Sequence, residues 1–546
     1  MESFSVGMQS FGMTILGLLK SEDVRHALVV VVLAFAASSF VTSILRLVKL
    51  YFYDPIRISR IMAKQGVRGP PFIPIVGSAH EIGAFEKSFP ESMPLEEHYG
   101  LLPTVKTQFH LFFPRFGQRF IYYRGPQVKL VSRDPQFAKE VLSLKYGFFE
   151  RHPDDVAMLQ NIVGLGLDNL TGEKWAIERR TLNSFFYQDV LKALVDDMVS
   201  SCECELQKWE EACRLGGAVE VSVEEDLNTI SNNIIAHTAF SADREKAKEI
   251  YRTQRKYVSL LFESLDSGWY WIPGFRYLPT ARNRAMTKLR ARFDGLLHEV
   301  INDRKKAVKK GDSESYGTDL LGMMLAAASD STDETAPEFN LASVFNNTKL
   351  FFFAGQDTVA SALTFTLLQL ARYPEWQDRA RKEVLEVTAD SDAFDSDAIS
   401  RLKVVGMVLN ETMRVYPVIS SISKMATKDM QIGDLFIPKG LVMEVPLAAF
   451  NQDPEIWGED VHKFNPERFE NGVAQACTNP QAFMPFAIGP KSCIGKDFAM
   501  MEAKIVIAMV LRRFQLSISP NYKHHPCHSL LTKPKYGLQL IMSRRS

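Results

Sequence analysis

The stretch Phe486–Gly495, FAIGPKSCIG, sets Cys493 among two glycines, a proline and a lysine. Four chemistries are open to such a cysteine: soft metal ligand, redox thiol, nucleophile, or small inert core residue. The helix-forming run GKDFAMMEAKIVIAMVLRRF begins just after it. Backbone N–H groups at that helix entry are expected to lower the thiol pKa. Gly489 and Gly495 permit a tight turn and a close approach to a flat cofactor, and Phe486 is placed to pack on one.

Ala354-Gly355-Gln356-Asp357-Thr358 puts a glycine, an acid and a hydroxyl inside an apolar span. Glycine costs about 1 kcal/mol against alanine in a helix, and a buried aspartate needs a partner. In one reading Thr358 bonds back to its own helix while Asp357 caps a neighbouring element. In the other, a local helix distortion opens a polar notch over a cofactor, where Asp357 and Thr358 hold water and relay protons. In GEKWAIERR, Trp175 and Arg179 lie one helical turn apart. An indole N–H beside a guanidinium suits an anionic group such as a carboxylate; the alternative is an anchoring tryptophan with a solvated arginine. Glu411 and Arg414 share a helical face, which by itself reads as a surface ion pair. Arg468 in FNPERF is a third member if the pair is buried.

The elements that position these residues are mostly helices. Asn340 is a plausible N-cap for an apolar pattern that runs to Tyr373, where Pro374 stops it. That helix is about 50 Å long and apolar on nearly all sides, so it is expected to be buried. A second helix is expected from an Asp397 cap to Tyr416. Strands are expected in RFIYYRG, in DLFIPKGLVMEVPL and in the C-terminal YGLQLIM. The architecture is therefore mainly α with minor β.

Lys+Arg and Asp+Glu both number 64, so there is no global electrostatic case for nucleic acid. Six sparse cysteines suggest a reducing compartment. The HHPCH run, His524–His528, lacks the spaced partners of a zinc site. Ala27–Leu45 is uncharged, long enough to span a hydrocarbon core of roughly 30 Å. Basic residues from Arg46 to Arg68 follow it, which places the large C-terminal part in the cytosol.

In order and spacing, these segments resemble the cytochrome P450 family of haem-thiolate monooxygenases. The matching elements are Trp175–Arg179, Ala354-Gly355-x-Asp357-Thr358, Glu411-x-x-Arg414, Pro466-Glu467-Arg468-Phe469, and Phe486-x-x-Gly489-x-Lys491-x-Cys493-x-Gly495. The likeness covers about Arg68 to the C-terminus and implies one large helical domain with small β-sheets behind an N-terminal transmembrane helix. Residues 1–26 would then be a lumenal segment, 27–45 the anchor, 46–77 a basic, proline-rich linker, and 78–546 the catalytic domain on the cytosolic side of the endoplasmic reticulum membrane.

The resemblance implies haem b with Cys493 as axial thiolate, Asp357 and Thr358 serving oxygen activation and proton delivery, and Trp175 and Arg179 on a propionate. Glu411, Arg414 and Arg468 would form a buried structural network. Electrons would come from NADPH through NADPH–cytochrome P450 reductase, with cytochrome b5 as an optional second donor; Lys491 and Lys496 are candidates for the basic surface that meets it. Lys424 and Lys491 depart from the family, which usually has arginine at both propionate-facing positions. Val359 stands where a second hydroxyl is common. By analogy the substrate would meet Val163–Leu167, the first half of the long helix, Val418–Ser423 and Leu530–Leu531. These are mostly apolar, with hydroxyls at Ser420, Ser421 and Ser423, and suit a small hydrophobic molecule. Several stretches, such as IRISRIMAKQGVRGPP and NYKHHPCHSLLTKPKYGLQL, resemble the plant clan that contains cytokinin hydroxylases. A haem-thiolate isomerase or dehydratase working without reductase, and a non-catalytic haem protein, are the competing readings; the retained Asp357–Thr358 pair argues against both.

Overall fold

The computed structural model describes residues 22–95, 100–266, 274–311, 314–329, 339–389 and 394–544. Helices dominate and four small sheets accompany them among the described residues, as the sequence led one to expect. Helix α1 (Glu22–Val48) leaves its apolar side chains exposed along its length, Val30, Leu33 and Phe35 among them. It is a candidate transmembrane anchor. Of the segment expected to be lumenal, residues 1–21 lie outside the described residues, and residues 22–26 begin α1.

The basic stretch expected to be a linker is helical as far as Lys64. A π-helical turn, Lys49–Tyr53, leads into α2 (Asp54–Lys64). Pro55 follows directly on the π-helical turn of one continuous helix, where the widened turn accommodates its missing N–H, so the proline does not end the helix. Ile58 and Met62 of α2 are buried in the core of the large domain, and Arg57 donates to the Lys439 carbonyl at 3.1 Å. The chain then turns at Gly66 and runs beside the first strand of the main sheet: Ile121 N–H donates to Arg68 O, and Ser78 N–H to Tyr123 O.

That sheet has the order β1-β2-β5-β4-β3, made of β1 (Arg119–Arg124), β2 (Gln127–Ser132), β3 (Phe149–Glu150), β4 (Ile422–Ala426) and β5 (Val442–Val445). Its β2–β5 pair is parallel and the rest antiparallel. Ser423 sits opposite Glu444 and Lys424 opposite Met443, so the strand alternation sends Ser423 and Lys424 to different faces. The expected strand in Asp434–Leu447 is two, Leu435–Ile437 and β5, parted by a turn at Pro438–Gly440. The C-terminal strand, Gln539–Arg544, lies in a three-stranded sheet between Ala218–Ser222 and Phe514–Ile518. A hairpin of β6 (Pro526–Ser529) and β7 (Leu531–Pro534) turns at Leu530, whose φ is +68°.

Five helices organise the centre: α3 (Gly172–Asn183), α4 (Val223–Phe240), α5 (Leu341–Arg372), α6 (Lys403–Val415) and α7 (Lys496–Arg513). In α5, the Asn340 side chain accepts the N–H groups of Ala342 and Ser343 at 3.0 and 3.1 Å, and the helix ends two residues before Pro374. Most of it is buried against its neighbours. A Cβ on Gly355 would stand 2.6 Å from Ile235 Cγ1 of α4. The glycine therefore allows two helices to approach closely; it does not open a distortion, and α5 is unbroken through residues 354–358.

The helix expected from an Asp397 cap is two. Asp395 caps Ser396–Arg401 by accepting from Ala398 N–H at 2.6 Å, and the chain breaks at Leu402. The first N–H groups of α6, at Lys403, Val404 and Val405, instead donate to the Glu383 carboxylate of another helix at 2.7, 2.7 and 3.0 Å. At the other end of α6, Glu411 and Arg414 are fully buried and bonded by two 2.7 Å hydrogen bonds. Arg414 also donates to the carbonyls of Asn451, Val461 and Lys463. Arg468 approaches Glu411 to 3.6 Å and ties Trp457 O, Asp460 O and the Asp460 carboxylate. This is an interior network that pins a long, irregular loop to α6.

Candidate functional site

The Phe486–Gly495 loop closes on itself through Cys493 N–H to Phe486 O at 2.9 Å and Ser492 N–H to Gly489 O at 3.0 Å. Gly489 has a φ of +79°, and a Cβ there would collide with the Leu142 carbonyl, so glycine is required by the protein's own backbone. Gly495 differs: its φ is −91°, and a Cβ would make only ordinary contact with Phe186 at 3.6 Å. Cys493 sits immediately before α7. Its side chain is exposed, yet the protein around it pushes its thiol pKa up. The expected lowering is present only as an opposing influence. Gly495 N–H and the Arg179 guanidinium favour the thiolate, and the low-dielectric surroundings outweigh them.

Helix α3 brings Trp175 and Arg179 to this loop. Arg179 donates to Ser492 O at 2.8 Å, and Lys491 Nζ lies 5.6 Å from the centre of the buried Trp175 ring. Lys491 also donates to Leu170 O. Lys424 joins from β4. Burial, followed by the charges of Arg151 and Lys491, depresses its ammonium to about 8, and Asp168 alone opposes them. Arg151 was not singled out from the sequence. The β3–β4 pairing of Glu150 with Met425 delivers it, and it donates to Asp168 at 2.7 Å. A half-buried lysine pressed by two cations and opposed by one carboxylate is short of negative charge.

On α5, Thr358 donates to Ala354 O at 2.7 Å, the back-bonded geometry. Asp357 does not cap a neighbouring element. It pairs with Lys533 of β7 at 3.2 Å, the two side chains being about a quarter and a fifth exposed. Lys533 lies 176 residues away in sequence and no local pattern announced it.

The serine hydroxyls expected to face substrate are engaged elsewhere. Ser420 is fully buried and bonds His528 Nδ1 at 3.2 Å, Ser421 donates to Glu444 at 2.6 Å, and Ser423 accepts from Lys129 at 3.1 Å. Glu444 is buried with Tyr122, Lys106 and Lys129; against the cost of burial, the two lysine charges and the hydrogen bonds from Ser421 and Tyr122 hold its carboxyl well below the ordinary range. The histidines of HHPCH have separate partners: His524 bonds Tyr522, His525 faces Glu91 O, and His528 faces Ser420.

Residues 68–542 match the family described as Cytochrome P450. The chain belongs to that family. Being a cytochrome P450, it is a monooxygenase with haem iron at its centre. Among its relatives, 7-deoxyloganic acid hydroxylase of Catharanthus roseus is 33% identical over 510 residues, covering 91% of this chain and 96% of that protein. Cytochrome P450 709B3 of Arabidopsis thaliana is 34% identical over 492 residues, or 89% and 93%. Cytokinin hydroxylase of Arabidopsis thaliana is 33% identical over 519 residues, or 94% and 99%. The residues fit the group: the exposed Cys493 thiol would offer a soft ligand for iron, and Arg179, Lys424 and Lys491 would offer cations to two propionates.

Proposed function

We propose that this cytochrome P450 is a membrane-anchored hydroxylase that inserts one oxygen atom of O2 into a small, largely hydrophobic molecule. Cys493 would hold the haem iron as a thiolate, with Phe486, Gly489 and Gly495 shaping the loop around it. Trp175, Arg179, Lys424 and Lys491 would hold the propionates, and Arg151 would add a further cation beside them. Bound haem supplies oxygen activation at its iron. Thr358 and Asp357 would hold and pass protons for that chemistry, with Lys533 fixing the Asp357 carboxylate.

Electrons come from NADPH through NADPH–cytochrome P450 reductase, with cytochrome b5 as an optional donor, at a proximal surface that includes Lys496; Lys491, turned to Leu170 O and Trp175, is given to the propionates instead. Residues 27–45 anchor the chain in the endoplasmic reticulum membrane, with the domain from residue 78 onward cytosolic. The substrate is a plant hormone, terpenoid or fatty acid type of molecule, and cytokinin side-chain hydroxylation is the nearest likeness.

The observation that carries this reading is Cys493, exposed in the closed Phe486–Gly495 loop beside Arg179, which donates to the neighbouring Ser492 carbonyl. The test is the carbon monoxide difference spectrum of the reduced, haem-loaded protein. A thiolate-type band that is lost in Cys493→His supports the assignment; its absence from the unaltered protein overturns it. NADPH consumption that rises with substrate and requires reductase then separates hydroxylation from peroxide rearrangement.

A further inference from the structure

Helix α3 is tied to the rest of the protein at two neighbouring positions. Among the described residues, two side-chain hydrogen bonds join it to other elements, and they fall on Glu178 and Arg179. Arg179 donates to Ser492 O at 2.8 Å, one residue before Cys493. Glu178 is 1% exposed and accepts from Nδ2 of Asn347, on α5, at 2.7 Å. Successive residues on a helix point about 100° apart, so the Glu178 bond fixes how α3 is turned about its axis. That rotation decides where the Arg179 guanidinium arrives.

Asn347 is fully buried, and its amide is shared three ways. Nδ2 also donates to Ser343 O of its own helix at 2.9 Å, which sets the amide plane. Oδ1 accepts the Leu167 N–H at 3.0 Å, so the Gly164–Leu167 turn closes on the same side chain. The preceding residue, Asn346, takes the Leu165 N–H at 3.0 Å. Gly166 lets the turn come this close: a Cβ there would stand 2.7 Å from Asn347 Oδ1. A carboxyl taken out of water is costly to leave unbonded, so Glu178 is held to Asn347. One amide therefore joins the turn, α5 and α3, and through Arg179 the Cys493 loop.

We propose that Asn347 is a positioning residue for the haem site. It sets the rotation of α3, and so the hold of Arg179 on the Cys493 loop, and makes that hold depend on how the Gly164–Leu167 turn is seated. This rests on the assignment of Cys493 and Arg179 above and adds the residue that aligns them. A turn drawn away from α5 takes the Leu167 N–H off Oδ1 and frees the amide to rotate. Nδ2 then leaves Glu178, and α3 loses its stop. Asn347 acts through Glu178 and takes no part in oxygen chemistry.

The experiment uses the full-length, haem-loaded protein in detergent. Two readings are taken on each variant: the rate of haem transfer to an apo-globin acceptor, and the thiolate-type share of the reduced carbon monoxide spectrum. Asn347→Asp keeps the acceptor for Leu167 but sets two carboxyls against each other. It is expected to speed haem transfer about tenfold, as loss of one hydrogen bond to a charged group would, and to lower the thiolate-type share. Adding Glu178→Gln rebuilds the bond with donor and acceptor exchanged, and is expected to restore both readings. Gly166→Ala leaves the buried pair intact and presses on Oδ1 from the turn. It is expected to shift both readings in the same sense, and to lose that effect in an Asn347→Ala background. Unchanged readings in Asn347→Asp, no recovery with Glu178→Gln, or a Gly166→Ala effect that is absent or independent of Asn347 overturns the proposal. Should Asn347→Asp fail to fold, the Gly166→Ala comparison decides alone. Absence of the thiolate-type band from the unaltered protein would overturn the hydroxylase reading instead, so the two failures are distinguishable.

Discussion

Lys533 Nζ lies 3.2 Å from Asp357 Oδ2, joining a strand of the C-terminal hairpin to the polar segment of the long helix. The pair is partly solvated, so it is worth about 1 kcal/mol or less to folding. Its position next to Thr358 gives it a larger weight in proton handling. Asp357→Asn is expected to slow substrate hydroxylation by about 100-fold, the low end for a positioned proton-transfer group. Lys533→Met is expected to lower product formed per NADPH consumed and to raise the solvent isotope effect on turnover, while Lys533→Arg stays near the original values. An unchanged product yield in Lys533→Met would mean that the ion pair is only a strut.

Haem retention should improve when the two lysines become arginines. Arginine offers a planar fork to a propionate where lysine offers a point charge, and a hydrogen bond to a charged group is worth about 1.5–3 kcal/mol. Lys424→Arg with Lys491→Arg is expected to slow haem transfer to an apo-globin acceptor by roughly tenfold, as one bond of this kind would. An equal transfer rate would show that the lysines already serve as well.

Lys424 also predicts a pH signature. In the haem-free folded chain its ammonium is depressed to about 8 from 10.5. Between those values the unfolded chain binds more protons than the folded one, so haem-free stability rises as pH climbs from about 8 towards 10.5. Propionates beside Lys424 would restore its charge. Haem binding near pH 9 is therefore expected to take up protons, seen as a buffer-dependent enthalpy in calorimetry, and Lys424→Arg should reduce that uptake.

Arg414→Ala would strand the Glu411 carboxylate in the interior, together with three carbonyls. The expected loss is about 3–5 kcal/mol, measured by denaturant unfolding of the haem-loaded protein. Arg414→Lys should recover only part of it, because one ammonium cannot serve the carboxylate and the Asn451, Val461 and Lys463 carbonyls together.

Local chemistry was the legible part of this molecule. The Asn340 cap and the stop before Pro374 follow from turn and cap rules, and the helix between them is as long as its apolar pattern required. Asp395 and Asp397 are both able to cap, and a sequence pattern cannot choose between them when the next helix takes its cap from Glu383. The Gly355 contact was hidden for a similar reason: its cause is Ile235, on another helix. Lys533 and Arg151 reach the site only through strand pairing. The serines at 420, 421 and 423 had the right composition for a substrate wall, but their hydroxyls were claimed by His528, Glu444 and Lys129.

The helix Asp54–Lys64 bears on how this protein is to be produced. Shortening the chain to the start of the family match at residue 68 would remove Pro55, Ile58 and Met62, which fill seats in the interior. Those seats would then face solvent as sticky apolar ground. A version meant to dispense with detergent has to cut upstream of Asp54, keeping this helix while giving up the span before it.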